Sequence, residues 1–132
     1  NMSNVVAIKD SSCDFSMMMK ILRKYPDKKT RPCKIFQGDE FMYDVSLLMG
    51  ADGIVTGGGT VFLDTLVKLC QAVEKENKTL AFELQQEFRN KMDKMLGPEL
   101  AVDWMAAVKS KLNEYKICDS NVTSPFLNRF SK

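Results

Sequence analysis

Apolar residues in the first half of the chain alternate between short unbroken runs and stretches of helical spacing. The runs are Asn4 to Lys9 (NVVAIK), Cys33 to Gln37 (CKIFQ) and Gly53 to Thr56 (GIVT). Each is short, and valine and isoleucine suit the extended backbone, so three strands are predicted. The first run is apolar without a break, which predicts a strand buried on both faces, as in parallel sheets. Phe15, Met18, Met19, Leu22 and Tyr25 recur at helical spacing, with Asp14 placed to cap the start and Pro26 to close the end. Gly38-Asp39-Glu40 turns into a second helix, predicted to face inward with Met42, Val45 and Leu48 and to end at Gly50. A third helix, about Val61 to Lys75, is expected to turn Leu63, Leu66, Val67, Cys70 and Val73 inward.

The order βαβαβα, with connections of a few residues, predicts parallel strands joined by crossover helices. After Asn77 the strands stop. Leu84, Phe88, Met92 and Met95 mark one helix, broken by Gly97-Pro98, and Leu100, Trp104, Val108, Leu112 and Tyr115 mark another. These stripes suit packing against the strand region, with a share available to a subunit interface. The tail from Ile117, which contains Pro125, is expected to be irregular. Three parallel strands apolar on both faces would leave two edges uncovered. The first strand also opens almost at the start of the chain. Both facts suggest five further βα units, on a preceding segment or a separate chain; a self-contained small α/β fold is the alternative.

Composition narrows the chemistry. A chain of 132 residues can bury one core but is too short for a complete eight-stranded barrel. A net charge of +2 implies neither nucleic acid nor an anionic membrane as partner. No apolar run reaches the ~20 residues of a bilayer span, and the first residues lack a signal-peptide pattern. The four cysteines, Cys13, Cys33, Cys70 and Cys118, form no CxxC pair, which argues against zinc and a disulfide framework and fits reduced thiols in a cytoplasm. Asn77-Lys78-Thr79 and Asn121-Val122-Thr123 match the glycosylation pattern, and with no secretory signal they read as chance. The chain has no histidine, which excludes Ser-His and Cys-His nucleophiles and histidine metal sites within it. Lysine, carboxylates, hydroxyls, tyrosine or a group supplied by another chain remain.

Lys9 steps out of an apolar run at the C-terminal end of a strand, where a barrel builds its active site. Partial desolvation there disfavours the ammonium and leaves an amine able to add to a carbonyl. The plainer reading is a lysine that marks where the strand meets solvent.

Asn4-Val5-Val6-Ala7-Ile8-Lys9-Asp10-Ser11-Ser12 resembles the sixth-strand signature of the dihydrodipicolinate synthase and N-acetylneuraminate lyase family. Gln37-Gly38-Asp39-Glu40 is similar to that family's seventh-strand motif, and Gly50-Ala51-Asp52-Gly53-Ile54-Val55 resembles the turn into its eighth strand. The three occur in order and in register, and the likeness covers nearly the whole chain. It implies the C-terminal part, strands 6–8, of a TIM (β/α)8 barrel over residues 1–76, followed by a C-terminal helical extension over 77–132. It implies a class I aldolase or lyase in which Lys9 forms a Schiff base with pyruvate or another 2-oxo acid. Ser11 then matches a substrate-binding hydroxyl and Gly38 a close backbone approach. Asp39 and Glu40 match acidic positions, and sugar-acid members hold substrate hydroxyls with a carboxylate at the Glu40 position. Val55 matches a residue lining the pyruvate pocket. Asp39 and Glu40 also suit an acidic helix start that carries no chemistry. A sugar-acid aldolase is thereby somewhat favoured over dihydrodipicolinate synthesis.

The family's proton shuttle is a tyrosine of the fifth strand, and no residue here takes that role; Tyr25, Tyr43 and Tyr115 read as packing residues on helices. No cofactor and no metal are implied, and a homo-oligomer, a tetramer among the options, is the expected assembly. Two departures stand out. Cys13 replaces the usual glycine after the serines, as a packed cysteine rather than a reactive thiol, and the eighth-strand loop reads Gly57-Gly58-Gly59-Thr60 where asparagine is common. The glycines allow a competing reading, a phosphate-binding α/β domain with backbone N–H groups cradling the anion, although no GxxxxGK[ST] or GxGxxG pattern is present. The plain alternative is a loop needing positive φ or close backbone approach. A third reading is a catalytically incomplete fragment or interaction module, and these residues alone are expected to show negligible activity.

Overall fold

The computed structural model describes residues 4–97 and 104–122. Strands β1 (Ala7–Asp10), β2 (Lys34–Gln37) and β3 (Gly53–Ile54) form one parallel sheet in the order β1-β2-β3. Helices α1 (Phe15–Lys24) and α2 (Tyr43–Leu48) connect them, and α3 (Gly59–Glu74), α4 (Lys78–Leu96) and α5 (Trp104–Glu114) follow. The predicted alternation is therefore present, with strands shorter than the apolar runs. Lys9 pairs with Phe36, Asp10 with Gln37, and Gln37 with Ile54, which aligns the C-terminal ends of all three strands.

Local chemistry sets the boundaries. Asp14 caps α1 by accepting from Met17 N at 3.1 Å, and α1 ends at Tyr25, directly before Pro26. Asn77 does the same for α4, accepting from Leu80 N at 3.0 Å, and Gly97 at φ 69° ends it. Helix α2 has no cap of its own. Gln85, buried on α4, supplies one from a distance: its Oε1 accepts from Tyr43 N (3.1 Å) and Asp44 N (3.2 Å), while its Nε2 donates to Glu40 O (3.0 Å). Two orphan amides at the start of α2 are satisfied by a helix more than forty residues away.

The core runs through Met18, Leu22, Ile35, Tyr43, Leu66, Leu69, Leu84, Phe88 and Met92. Three expectations are corrected here. Strand β1 is not buried on both faces: Ala7 and Lys9 are exposed, Ile8 and Asp10 half-buried, and Val6 before it is 77% exposed. Among the described residues no further strand pairs with it, so β1 is an edge of the sheet. In α2 the inward residues are Tyr43 and Leu47, while Val45 and Leu48 face out. In α3 they are Thr65, Leu66, Leu69 and Ala72, while Leu63 and Val67 are exposed and Cys70 and Val73 half-buried. The physical reason is that α3 packs chiefly on α4. Small residues on that face (Ala72 of α3, Ala81 of α4) let the two axes approach.

Met95 is half-buried against the core, as is Tyr25. Tyr115 lies just past α5 and is 51% exposed, so it does not pack as expected. Helix α5 buries Ala106, Ala107 and Val108, with Leu112 half-buried. Leu100, Pro98 and Pro125 lie outside the described residues; residues 117–122 are irregular, as predicted. Among the described residues, no helix is long and apolar enough to cross a membrane. All four cysteines are free.

Candidate active site

Lys9 and Ser11 reach the site from the end of β1, and Gly38 from the end of β2. Gly38 N donates to Asp10 O at 2.7 Å, which continues the β1–β2 ladder one residue past the strands. A Cβ built on Gly38 would lie 2.5 Å from Lys9 Cε and 2.2 Å from Ser11 Oγ. Only glycine leaves room for both side chains, so close approach is what this position requires. Lys9, Ser11, Gly38, Asp39 and Glu40 line one cavity of about 550 Å³, together with Cys13, Phe41, Thr56, Gly57, Met92, Leu96 and Trp104. The structure thus unites five of the six predicted site residues.

Val55 is the exception. Its N–H donates to Gln37 O at 2.9 Å, its side chain is 43% exposed, and it does not line the cavity.

The acidic loop is held from below. Gln37, buried at the end of β2, donates from Nε2 to Ser46 Oγ (2.7 Å) and accepts at Oε1 from Asp39 N (2.8 Å). Asp39 Oδ1 accepts from Phe41 N at 3.0 Å, a local turn bond that leaves its other oxygen free. Glu40 Oε1 is engaged three times, by Thr56 Oγ1 (2.8 Å), Gly57 N (2.8 Å) and Gly58 N (2.6 Å). The Glu40 carboxylate therefore fills the amide nest of the glycine turn. This removes the phosphate-cradle reading: the donors an anion needs are already bound by the chain's own anion.

The three glycines serve close approach rather than positive φ. A Cβ on Gly57 would lie 2.1 Å from Trp104 Cη2, and one on Gly58 would lie 2.5 Å from Met92 Sδ. The positive-φ glycines are Gly50 and Gly97.

Cys13 was expected to pack, and it does not. It is exposed and takes φ 57°, the left-handed region where glycine sits without strain. Tyr43, by contrast, packs fully: it is completely buried, 6.0 Å from the Phe88 ring. Burial pushes its phenol well above the usual tyrosine range. Thr56 stands beside the hydroxyl but is engaged with Glu40 and Gly59 N, and no hydrogen bond of good geometry forms.

Sequence reading missed the apolar wall of the cavity: Phe41, Met92, Leu96 and Trp104. Three of the four come from α4 and α5, and spacing gave only their helical periodicity. The triple glycine was the available signal, since a turn without side chains leaves space that something else must fill. Among the described residues, no cluster of three His, Cys, Asp or Glu could hold a metal ion.

Comparison with known proteins gives a consistent picture. A sequence description of the dihydrodipicolinate synthetase family matches residues 1–129. Dihydrodipicolinate synthase from the commensal bacterium Bacteroides thetaiotaomicron is similar in structure, with a TM-score of 0.78 at 24% identity, over 92% of this chain and 41% of that one. The Aquifex aeolicus dihydrodipicolinate synthase gives 0.76 at 18% identity, over 94% and 40%. CdNal from Clostridium difficile, solved in complex with mannosamine, gives 0.73 at 18% identity, over 92% and 39%. At these identities the likeness establishes the fold, and this chain spans about two fifths of the length of each. No curated protein matches it by sequence.

Proposed function

Because this chain belongs to the dihydrodipicolinate synthetase family, we propose that it supplies strands six to eight of a (β/α)8-barrel lyase, together with the imine-forming lysine. Residues 1–76 are then the last three βα units and 77–132 the helical extension. Lys9 Nζ bonds to the keto carbon of pyruvate or another 2-oxo acid, and the carbinolamine loses water to give a protonated imine. In a longer 2-oxo acid that cation draws in the electron pair of the C3–C4 bond, one carbon beyond the imine carbon, as the C4 hydroxyl gives its proton to the shuttle. The bond breaks to an enamine and a released carbonyl compound, or forms in the reverse direction. The imine itself is the electron sink, so the step calls for no cofactor or metal.

The observation that carries this reading is the convergence of Lys9, Ser11 and Gly38 at the C-terminal ends of two adjacent parallel strands, inside one cavity. Ser11 offers a hydroxyl to the substrate, and Gly38 gives the room to approach. Asp39 keeps one carboxylate oxygen free, and Glu40 serves first as the clamp of the glycine turn. Val55 contributes through its backbone. The proton shuttle belongs to the part of the barrel that completes the site. A homo-oligomer and a cytoplasmic location belong to the same reading.

The test is incubation with pyruvate and borohydride, followed by peptide mapping. Reduction of the imine at Lys9 alone is the expected result. A folded assembly containing the complementary barrel strands that takes up no label would defeat the proposal. The second reading, a catalytically incomplete fragment, is favoured by the exposure of Lys9 on an edge strand. Intact mass and gel filtration decide whether a companion polypeptide accompanies the chain; a lone monomer without label supports the fragment.

A further inference from the structure

The cavity has two unlike sides. Lys9, Ser11, Asp39 and Glu40 make one, and Phe41, Met92, Leu96 and Trp104 make the other. The apolar side is closely packed against the glycine turn. The Trp104 indole lies so close to the Gly57 backbone that any side chain there would displace it. Met92 is 1% exposed, with its sulfur against Gly58. The Phe41 ring, 38% exposed, carries the Arg89 guanidinium 5.2 Å from its centroid.

The polar side is poorer than its residue types suggest. One oxygen of Glu40 is saturated by three donors from the chain, and one of Asp39 is engaged by Phe41 N. A polyhydroxylated chain laid against Trp104, Met92 and Leu96 would give up water and find no replacement partners there. An aryl or branched alkyl group loses nothing polar and removes apolar area from water. A volume of about 550 Å³ also exceeds what pyruvate alone needs.

We infer that the cavity takes a 2-oxo acid whose tail is apolar, aryl or branched alkyl, with the tail on the Trp104–Met92–Leu96 wall, rather than a polyhydroxylated sugar acid. The inference deepens the Lys9 reading and rests on it for the keto-acid end; the apolar subsite is separately measurable. It also reverses the preference for sugar acids drawn from Glu40, whose carboxylate is largely committed to the glycine turn.

Trp104 is the single tryptophan of the chain, so its fluorescence reports directly on this wall. Two carboxylates without a reactive carbonyl serve as probes, 4-phenylbutanoate and gluconate, titrated into the 132-residue chain. The expected result is saturable quenching by 4-phenylbutanoate, with half-saturation at least roughly tenfold below that of gluconate. Leu96→Ser should weaken the phenyl probe about threefold. Should that variant fail to fold by circular dichroism, Phe41→Ser on the exposed loop replaces it with the same expectation. Equal response to the two probes, tighter gluconate, or quenching indifferent to the variant overturns the inference. Borohydride trapping with pyruvate runs in parallel. Selective phenyl binding with no Lys9 adduct in an assembly that holds the complementary barrel strands leaves the apolar subsite standing and removes the imine reading, whereas an adduct without selectivity does the reverse.

Discussion

Helices α3 and α4 bury Leu66, Leu69 and Ala72 together with Ala81, Leu84 and Phe88, whereas β1 leaves Ala7 and Lys9 exposed, as is Val6 just before it. Phe88 is met by the Tyr43 ring at 6.0 Å and edge-on by Phe62 at 6.3 Å. At the other extreme, Asp10 Oδ2 is buried with no hydrogen-bond partner. The helical layer buries a core between its own faces, although Leu63, Val67, Leu80 and Phe82 stay exposed on its outer side, and among the described residues the sheet is open along β1 and β3. What separates them is the range of their contacts. A helix satisfies its backbone internally and needs only a neighbour for one face, while a parallel strand needs a partner along each edge. The candidate site lies on the seam: polar groups from the open sheet, an apolar wall from the closed helices.

The sharpest way to break the closed side is Phe88→Ala. Deleting a fully buried ring with aromatic neighbours should cost about 3–5 kcal/mol, read by urea unfolding, and near-neutral stability would mean that the helical layer is not the core. Next comes the joint between β2 and the turn into β3. Asp52 accepts from Ile35 N at 2.7 Å and pairs with the buried Arg31. Burial pushes its carboxyl up, but the Ile35 amide and Arg31 outweigh that and hold it below the ordinary value. A depressed folded-state pKa gives stability that is present above the unfolded value, about 3.9, and is lost as pH falls through the folded one. Stability should therefore drop below about pH 4. Asp52→Asn should cost about 3 kcal/mol at pH 7, because Arg31 loses its counter-charge, and should shallow the acid slope. An unchanged slope in urea melts at pH 7 and pH 3 would refute this.

A smaller effect tests how the helices hold the site. Gln85→Leu strands Tyr43 N, Asp44 N and Glu40 O, so a loss of about 2 kcal/mol is expected, with faster amide exchange at the start of α2. Unaltered exchange there would show that the long-range cap is dispensable. The smallest belongs to the open side: Cys13→Gly relieves a left-handed residue and should gain about 0.5 kcal/mol, partly offset by unfolded-state entropy. A measured loss would mean that the Cys13 side chain has a packing role.

Legibility followed the same division. Asp14 and Gly97 act through neighbours three or four residues away, so their positions could be read directly; Asn77 caps α4 in the same local way but was marked only as the end of the strand region. Lys9 stood out by its place at a strand end, and the family resemblance joined Ser11 and Gly38 to it. The inward faces of α2 and α3 could not be read, since Val45, Leu48, Leu63 and Val67 are as apolar as the residues that are buried. Periodicity states that a helix has an apolar face; it does not say which of two apolar stripes a particular neighbour covers. Val55, matched through the family resemblance, lies outside the cavity lining, and Cys13, expected to pack, is exposed.

Hydrophobic period, capping residues and the missing histidine are properties of the chain one residue at a time. They were enough to determine an α/β architecture, its helix ends and a chemistry restricted to lysine, carboxylates and hydroxyls. Tertiary structure alone decided that Glu40 clamps the glycine turn, that Gln85 caps α2 from α4, and that Trp104 walls the cavity. Each of these joins residues sixteen or more positions apart. Such contacts depend on where whole elements pack, which no local pattern encodes.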